Sequence, residues 1–510
     1  MRPMGDGAFP PRWAMKVERD SPELLLAEDC TPHLVALFSP LVVPLPSCHP
    51  FSRRVVCIGG RWVCSDVRRE AVDTTRPEGT PIPIWTSIGC MGGENMKTLF
   101  VGIDISQNAA QVQFLDRSER DLRQLKITND LPGAEQLVRR ILSVAKEQQL
   151  TAVVIGLEAT GMLGWHLRTY LSQVPDLQPL NPQVYVFNAK VVAGFKKAYP
   201  DLPKTDAVDA WVIADRLRFG RLPRPHEEGE RFEALQRLTR ARYHLVHDLV
   251  REKNRFLSTL FLKFSAFVQQ EPIKRTFGTT ALAVLTEFAT AEEITNQSLE
   301  ELTQLIVDRS RNRYDDPEAV AAAVQKAARA SYRLPKAMAD PVNQVLACQI
   351  NVIRAMEQQI RELNVAIERL LSTVSQTLHS VKGLGPVFIA GIIAEIGNIE
   401  RFPNEAALAK YTGLYWSKYQ SGNFQAEDTR MTRKGNTYLR YYVVEAANSL
   451  RMHDAEFRRY YNLKKAETKT HAHKRALVLT ARKLIRLVDC LLRSNRLYKP
   501  PQGRLHTEGS

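Results

Sequence analysis

The sequence predicts an α/β domain followed by an all-α region, and three observations support this fold class. Residues 96–220 alternate between strand and helix patterns, which is typical of a mixed sheet flanked by helices. From residue 230 onwards, apolar residues recur at helical spacing and indicate long helices. The 510 residues are 44% hydrophobic and 25% charged, near the average for folded soluble proteins, so wholesale disorder and a membrane bundle are disfavoured.

The charge of the chain points to a polyanionic partner. The formal net charge is +15 at pH 7, and neutralisation of phosphates by Lys and Arg dominates sequence-independent binding to nucleic acids. Residues 1–95 contain 10 Lys or Arg against 11 Asp or Glu, whereas residues 421–510 contain 19 against 8. The positive excess therefore lies towards the C-terminus.

The first 95 residues differ in composition from the rest. They contain 12 of the 28 prolines and 5 of the 7 cysteines, without helical or alternating periodicity. Proline at this density removes backbone hydrogen-bond donors, and the apolar run of residues 34–45 is too short to span a bilayer. We expect residues 1–95 to be a mis-assigned, disordered extension and the protein to start at Met96. The scarcity of cysteine after that point fits a reducing cytoplasm.

The α/β region begins abruptly after residue 96. Strands are predicted at TLFVGID, AAQVQFL, LRQLKIT, AVVIGLE and VYVFNA, and helices at residues 132–148, near Trp165 and through TDAVDAWVIADRLRF. Three early strands followed by alternating helices and strands predict a mixed sheet.

Four acids occupy informative places in this region. Asp104 and Glu158 each end an apolar strand, where a carboxylate is costly unless it is paired or binds a cation. Asp206 and Asp209 follow one helical turn apart, with Thr205 as the predicted N-cap. Each acid alone would more often be a turn or helix-start residue, but together they predict a site for Mg²⁺ or Mn²⁺. Asp215, further along the same helix, is expected to be solvated.

The strings GIDIS, GLEATG and KTDAVDA, in this order and spacing, resemble the DEDD-type, ribonuclease H-like (RuvC-like) domain of transposases of the IS110 insertion-sequence family. The resemblance implies that Asp104, Glu158, Asp206 and Asp209 are both the catalytic acids and the metal ligands. It also implies that Lys204 and Thr205 belong to the motif rather than to the chemistry.

A long helical region follows, and its strongest signal is a heptad repeat. Apolar residues recur every seven positions, namely Leu346, Ile353, Ile360, Ile367 and Val374, with Met356, Leu363 and Leu370 at companion positions. This pattern predicts a coiled coil. The helix could pair with the predicted helix of residues 232–267 or with another chain. In the related transposases such a segment mediates assembly, so a homo-oligomer is expected.

The C-terminal region is basic and helical. SVKGLGPVFIAGIIAEIG matches a helix-hairpin-helix, in which Gly383 and Gly385 permit a tight turn and Pro386 begins a helix whose amides could contact phosphate. Ser421 is followed by glycine in a polar, turn-rich stretch, which would leave its hydroxyl accessible. The residues that could hold phosphates are Gly383, Gly385, Lys418, Arg430, Arg433, Lys434 and Arg440.

The serine segment also resembles the same family. GLYWSKYQSG followed by TRKGN fits its pattern, although Asn423 stands where a second small residue is common. The resemblance implies that Ser421 is a nucleophile that forms a phosphoserine link to DNA, working with the acids of its own chain or of a neighbour. It further implies guidance by a structured RNA from the flank of the mobile element.

The sequence therefore predicts a DNA transposase or recombinase, located in the bacterial cytoplasm at the nucleoid. The predicted domains are a RuvC-like domain (96–225), a helical and coiled-coil region (226–378), a C-terminal transposase domain (379–500) and a tail (501–510). Two alternatives remain open. One is a RuvC-like endonuclease that uses metal-activated water, and the other is a nucleic-acid-binding scaffold without catalytic activity.

Overall fold

The structure, a computed structural model, describes residues 97–159, 161–199, 201–222, 229–416 and 434–500. It also describes residues 420–421, 424–425 and 428–432, and a three-residue strand, β1 (Val42–Pro44). The chain divides into two compact units, residues 67–228 and residues 229–510 with residues 1–66. The tail 501–510 and all of residues 1–95 except β1 lie outside the described residues, so the expectations for both segments stay predictions. The predicted boundaries at residues 225 and 378 also stay predictions.

The first unit contains a mixed sheet of five strands, as the sequence predicts. The strands are β2 (Thr98–Ile105), β3 (Ala109–Leu115), β4 (Asp121–Thr128), β5 (Ala152–Glu158) and β6 (Gln183–Phe187). Their order across the sheet is β4-β3-β2-β5-β6. Strand β3 is antiparallel to both its neighbours, whereas β2, β5 and β6 are parallel. Strands β2 and β5 are therefore adjacent central strands whose carboxyl ends lie at the same edge.

Helices cover both faces of this sheet. They are α1 (Leu131–Glu147), α2 (Trp165–Gln173), α3 (Ala189–Lys196) and α4 (Asp206–Arg218), with a 3₁₀ helix at Pro175–Leu180. On one face, Leu137 and Leu167 of α1 and α2 share a core with Val101. On the other, Ile213 of α4 shares a core with Phe100. Both faces of β2 are buried because its side chains alternate between these two cores.

Two glycines set the distance between α4 and the sheet. A Cβ atom at Gly102 would lie 2.2 Å from the carbonyl oxygen of Ala210, and one at Gly156 would lie about 3 Å from side chains of α4 and β6. The missing side chains let the backbone of α4 approach β2 closely. This approach brings the first turn of α4 towards the carboxyl ends of β2 and β5.

The second unit is mainly helical. Its helices are α5 (Glu230–Lys263), α6 (Ser265–Gln270), α7 (Thr279–Glu287), α8 (Ala291–Asn296), α9 (Leu299–Ser310), α10 (Pro317–Arg329), α11 (Lys336–Leu371), α12 (Pro386–Ile396), α13 (Glu405–Thr412), α14 (Thr437–His453), α15 (Ala455–Ala466) and α16 (Ala472–Ser494). Short strands lie between α13 and α14: β7 (Gln420–Ser421), β8 (Phe424–Gln425) and β9 (Asp428–Arg430), of which β9 pairs antiparallel with β1. The predicted helix breaks near Asn296 and residues 315–317 are confirmed.

The heptad repeat lies on α11, and it faces the same chain. Leu346, Ile353 and Ile360 are buried in one core with Phe256 of α5, and Ile367 is buried in the next core with Leu235 of α5. Val374, the last predicted heptad residue, follows the end of the helix. Of the two open pairings, the one within the chain is therefore present between α5 and α11.

The C-terminal helices α12–α16 surround one core that includes Ile392, Tyr442 and Leu484. The turn of the predicted helix-hairpin-helix is present, since Gly383 has φ +97° and Pro386 begins α12. The element before the turn is a 3₁₀ helix of three residues, Leu378–Ser380, rather than an α-helix. The motif is thus reduced to a turn and its second helix.

The close approach at Gly102 predicts a large effect of one added methyl group. Gly102→Ala should lower the free energy of unfolding by about 2 kcal/mol or more, because backbone atoms of α4 must move away from β2. Urea unfolding measures this change. Gly194→Ala is the control: a Cβ at Gly194 on α3 meets nothing within 4 Å, so stability should rise by about 0.5 kcal/mol. Equal effects of the two substitutions would contradict the packing argument.

Candidate functional site

Two of the predicted acids lie on adjacent strands at one edge of the sheet. Ile103 of β2 pairs with Leu157 of β5 in parallel register, and Asp104 and Glu158 follow these residues directly. Both side chains alternate with residues of the α1 and α2 face, so both point to the face that α4 covers. The pattern glycine, apolar residue, acid occurs in both strands and has a structural reason. The glycine admits α4, and the acid two residues later meets the start of that helix.

The other two acids stand in the first turn of α4. Thr205 is its N-cap, since the Thr205 Oγ1 atom accepts a hydrogen bond from the backbone N–H of Val208 at 3.3 Å, which confirms the predicted cap. Asp206 and Asp209 follow, where the helix dipole favours negative charge. The fold therefore brings all four predicted acids into the same part of the first unit.

The electrostatics of Asp104 reflect this concentration of negative charge. Burial is the main cause that raises its pKa to about 6, and repulsion from Asp209, Asp206 and Glu158 raises it further. Burial and the charge of Asp209 also raise the pKa of Glu158. Carboxylates that destabilise each other's charge are suited to bind a cation.

A lysine that the sequence reasoning missed neutralises part of this charge. The Nζ atom of Lys196, in the last turn of α3, lies 2.5 Å from Oδ1 of Asp209. Within the described part of the chain, no three Asp, Glu, His or Cys side chains form an assembled metal site. The acids thus lie close enough to repel each other without forming a closed cage. Lys196 precedes the KTDAVDA segment by eight residues, and no local pattern indicates its partner.

The expectation that Asp215 is solvated is wrong. This residue is 1% exposed, and its carboxylate accepts hydrogen bonds from the hydroxyl of Tyr199 and from Nε of Arg218, the latter at 2.7 Å. The hydrogen bond to Asp215, together with burial, raises the pKa of Tyr199 to about 12. Asp215 is therefore a buried structural residue that joins α4 to the segment after α3.

Ser421 belongs to the second unit. It ends β7, which pairs antiparallel with β8, so that Ser421 is the register partner of Phe424. The two residues between these strands lie outside the described residues. The backbone thus places Ser421 at the end of β7, with two residues between it and the start of β8.

The predicted phosphate-binding residues have different environments. Lys418 and Arg433 lie outside the described residues, and Lys434 is exposed. Arg440 is buried, with Nη1 donating to the carbonyl oxygen of Thr412 at 3.0 Å. That contact ties α14 to the end of α13.

The two glycines near α12 also differ. The carbonyl oxygen of Gly383 accepts a hydrogen bond from Oγ of Ser449 at 2.7 Å. Gly385 is the N-cap of α12 and offers no side-chain oxygen to the first amides of that helix.

Among the described residues, no helix is long and apolar enough to cross a membrane.

Two protein-family models match this chain, one around the four acids and one around Ser421. The model for the DEDD transposase of IS110 type, described as "Transposase", matches residues 101–264, which contain all four acids. A second model, described as "Transposase IS116/IS110/IS902 family", matches residues 375–462, which contain Ser421.

Two curated proteins of insertion elements are similar to this chain along most of its length, and a third is similar along less than a third of it. The uncharacterized 44.8 kDa protein of IS116 from Streptomyces clavuligerus is 28% identical over 419 residues, 79% of this chain and 96% of that protein. The uncharacterized 43.6 kDa protein of IS110 from Streptomyces coelicolor is 30% identical over 149 residues, 29% of this chain and 36% of that protein. The uncharacterized 42 kDa protein of IS900 from Mycobacterium paratuberculosis is 21% identical over 410 residues, 79% of this chain and 97% of that protein.

The raised pKa of Asp104 predicts a pH-dependent stability. Between pH 3.8 and about 6 the unfolded chain has released a proton that folded Asp104 still holds. Raising the pH through this window therefore lowers the free energy of unfolding of the metal-free protein. Asp104→Asn removes this penalty and should stabilise the protein at pH 7 by about 1 kcal/mol, a value reduced for solvent screening of a half-exposed group.

Thermal unfolding in EDTA at pH 5 and pH 7 measures this effect. The difference between Asp104→Asn and the wild type should be largest at pH 7 and about half as large at pH 5, because pH 5 lies within the window between pH 3.8 and about 6. Asp176→Asn, which alters an exposed aspartate of the same unit, is the control and should follow the wild type. An Asp104→Asn protein that is less stable than the wild type at pH 7 would contradict the proposed repulsion.

Proposed function

The chain belongs to the IS110 family of transposases and is a DNA transposase, and we propose that it cuts and rejoins the DNA of an insertion sequence through a serine nucleophile. The observation that carries the proposal is the gathering of four acids at one edge of the sheet, in a chain whose second matched region contains Ser421. The order of the five strands, in which β3 pairs antiparallel with β4 and β2 beside the parallel strands β2, β5 and β6, supports a ribonuclease H-like, RuvC-like domain.

The acids are the proposed ligands of a divalent cation. Asp104, Glu158, Asp206 and Asp209 offer hard oxygen donors, which Mg²⁺ and Mn²⁺ prefer. When bound, such a cation stabilises charge on the oxygens that enter and leave phosphorus. The carboxylates would hold the cation, and Lys196 offers positive charge on the α3 side of the set.

Ser421 is the proposed attacking group. Its Oγ forms a bond to phosphorus while the bond from phosphorus to the leaving DNA oxygen breaks. The serine hydroxyl loses its proton, and the leaving oxygen gains one. The resulting phosphoserine ester keeps the energy of the phosphodiester, so a DNA hydroxyl can reverse the step on a second strand without ATP. A free serine hydroxyl is a weak nucleophile, which is why we propose that it acts beside the acids of its own chain or of another.

The basic C-terminal region is the proposed nucleic-acid surface. Lys434 is exposed directly before the glycine that precedes α14, and Gly385 leaves the first amides of α12 available to phosphate. We include Lys418, Arg433 and Gly383 as further contacts, and leave out Arg440 because it is buried. The proposed partners are DNA of the element ends and target and a structured guide RNA, and the proposed location is the bacterial cytoplasm at the nucleoid.

A homo-oligomer is the proposed assembly, and α11 carries a surface for it. Besides the buried heptad positions, this helix has a second, exposed apolar row with coiled-coil spacing, which we call the outer seam: Met338, Pro341, Val345, Cys348, Val352 and Ala355. No charged residue occurs between positions 341 and 353. Two copies of the outer seam could therefore meet without repulsion, as in a coiled coil.

The serine nucleophile predicts a covalent product. With Mg²⁺ and DNA carrying the element ends, the wild type should form a protein–DNA adduct that survives denaturation. Ser421→Ala should reduce adduct formation by about 10³-fold or more, because no other hydroxyl replaces the lost nucleophile. A gel of denatured, labelled DNA measures the adduct.

Two further variants complete this test. Ser372→Ala alters an exposed serine at the end of α11 and should leave the adduct unchanged. Asp104→Asn should also abolish the adduct. Strand cleavage that persists in Ser421→Ala would instead indicate a RuvC-like endonuclease that uses activated water. If the wild type cleaves no DNA with Mg²⁺ or with Mn²⁺, the result would favour a nucleic-acid-binding scaffold without catalytic activity.

The outer seam predicts a change in assembly. Val345→Glu places a charge in the middle of the seam and should raise the dissociation constant of the oligomer at least about tenfold. Sedimentation over a range of concentrations measures it. Ala347→Glu, on an exposed part of α11 outside the seam, should have little effect. A Val345→Glu protein that assembles as the wild type does would exclude the seam as the interface.

A further inference from the structure

The segment that contains Ser421 begins and ends at nearly the same point of the helical core. It runs from Gly413, after α13, to Gly435, before α14, and we call it the serine excursion. A Cβ atom at Gly435 would lie 2.5 Å from the backbone nitrogen of Gly413. The backbone N–H of Asn436 donates to the carbonyl oxygen of Tyr411 at 2.6 Å. The two ends of the excursion are thus in direct backbone contact.

A second pair of contacts closes the excursion just beyond its base. The backbone N–H of Thr432 donates to the carbonyl oxygen of Tyr415 at 2.9 Å, and Trp416 forms a β-bridge with Met431. These contacts hold the outgoing and returning strands side by side. The position of Ser421 relative to the core therefore depends on how firmly the base is fixed.

Asn436 fixes the returning end through three side-chain hydrogen bonds. Its Oδ1 atom accepts from the backbone N–H of Leu439 at 3.0 Å and caps α14. Its Nδ2 atom donates to the hydroxyl oxygen of Tyr411 at 3.0 Å and to Oε2 of Glu395 at 2.7 Å. Asn436 thereby joins α14, the end of α13 and the core helix α12.

Glu395 is the buried partner in this arrangement. The residue is 1% exposed, and a buried carboxylate is costly unless its charge and its lone pairs are satisfied. Arg240 of α5 supplies a positive charge and two hydrogen bonds, with Nε donating to Oε1 at 2.7 Å and Nη2 to Oε2 at 2.8 Å. The Arg240 guanidinium also lies over the ring of Tyr438 in the first turn of α14, 4.6 Å from its centre.

We infer that Glu395 is a positioning residue for Ser421. Held by Arg240, it fixes Asn436 and so the base of the serine excursion, which keeps the serine in place for attack on phosphorus. This inference rests on the proposed nucleophilic role of Ser421. It assigns Glu395 no contact with DNA.

Glu395→Gln tests the inference in the full-length protein. It keeps the shape of the side chain but removes the charge that Arg240 neutralises. Hydrogen exchange of backbone amides in residues 414–434 should accelerate at least about tenfold, while amides in α15 and α16 keep their wild-type rates. At saturating element-end DNA with Mg²⁺, adduct formation should slow at least tenfold, while the Kd for DNA stays within twofold.

A polarity swap tests the contact itself. Asn436→Asp alone places two carboxylates together and should also slow adduct formation at least tenfold. In the double variant Glu395→Gln with Asn436→Asp, the amide of residue 395 donates to the carboxylate of residue 436, which still caps α14. The double variant should recover at least half of the loss in the logarithm of the adduct-formation rate that Asn436→Asp causes. Such non-additivity is expected for two residues in contact.

Two more variants keep the test decisive. Asn436→Ser retains an N-cap but loses the donor to Glu395, so it tests the same bond if Glu395→Gln does not fold. Glu456→Gln is the matched control, because Glu456 bonds Lys483 at 2.7 Å in the same unit, between α15 and α16. It should change neither exchange in residues 414–434 nor the adduct rate.

The outcomes separate this inference from the proposed function. A folded Glu395→Gln or Asn436→Ser protein with an adduct rate within twofold of the wild type would overturn the positioning role, as would strictly additive effects in the double variant. An adduct that persists in Ser421→Ala would overturn the nucleophilic role instead. In that case faster exchange in Glu395→Gln would still establish the anchor of the excursion.

Discussion

The site in the first unit depends on a repulsion that the fold imposes. Gly102 and Gly156 allow α4 to lie against the sheet, and this close packing brings Asp206 and Asp209 towards the acids of β2 and β5. Without a cation, the burial and mutual proximity of the carboxylates raise the pKa of Asp104 to about 6. The backbone packing thus maintains an arrangement that its side-chain charges oppose, as in sites where stability is lost in favour of function.

Compensation for this charge comes from outside the four acids. Lys196 pairs with Asp209 from the last turn of α3. Asp215, nine residues beyond Asp206 on α4, pairs with Arg218 and with the hydroxyl of Tyr199 from the segment after α3. Both contacts tie α3 and the following segment to α4. Helix α4 is therefore held by an ion pair at its acidic first turn and by hydrogen bonds of Asp215 near its C-terminal end.

Much of the first unit could be predicted because its signals are local. The alternation of apolar residues located the five strands, and Thr205 indicated the start of α4 through its capping chemistry. The burial of Asp215 could not be predicted in this way, because its partner Tyr199 lies 16 residues away and the pairing needs the tertiary fold. Lys196 was missed for the same reason. On α11 the heptad repeat of buried residues could be read from the sequence. The outer seam can be recognised only in the structure, because the sequence does not show which face of the helix is buried.

In the second unit, the inferred constraint is the position of Ser421 within the serine excursion. Backbone pairing near Ser421 is limited to strands of two or three residues, which alone are too short for independent stability. The stabilising contacts instead lie at the base, where Arg240 neutralises the charge of Glu395 and Asn436 donates a further hydrogen bond to its carboxylate. A buried carboxylate satisfied in this way is sensitive to the loss of any single partner. That sensitivity favours one arrangement of the base over alternatives, and geometric precision at the serine follows from it.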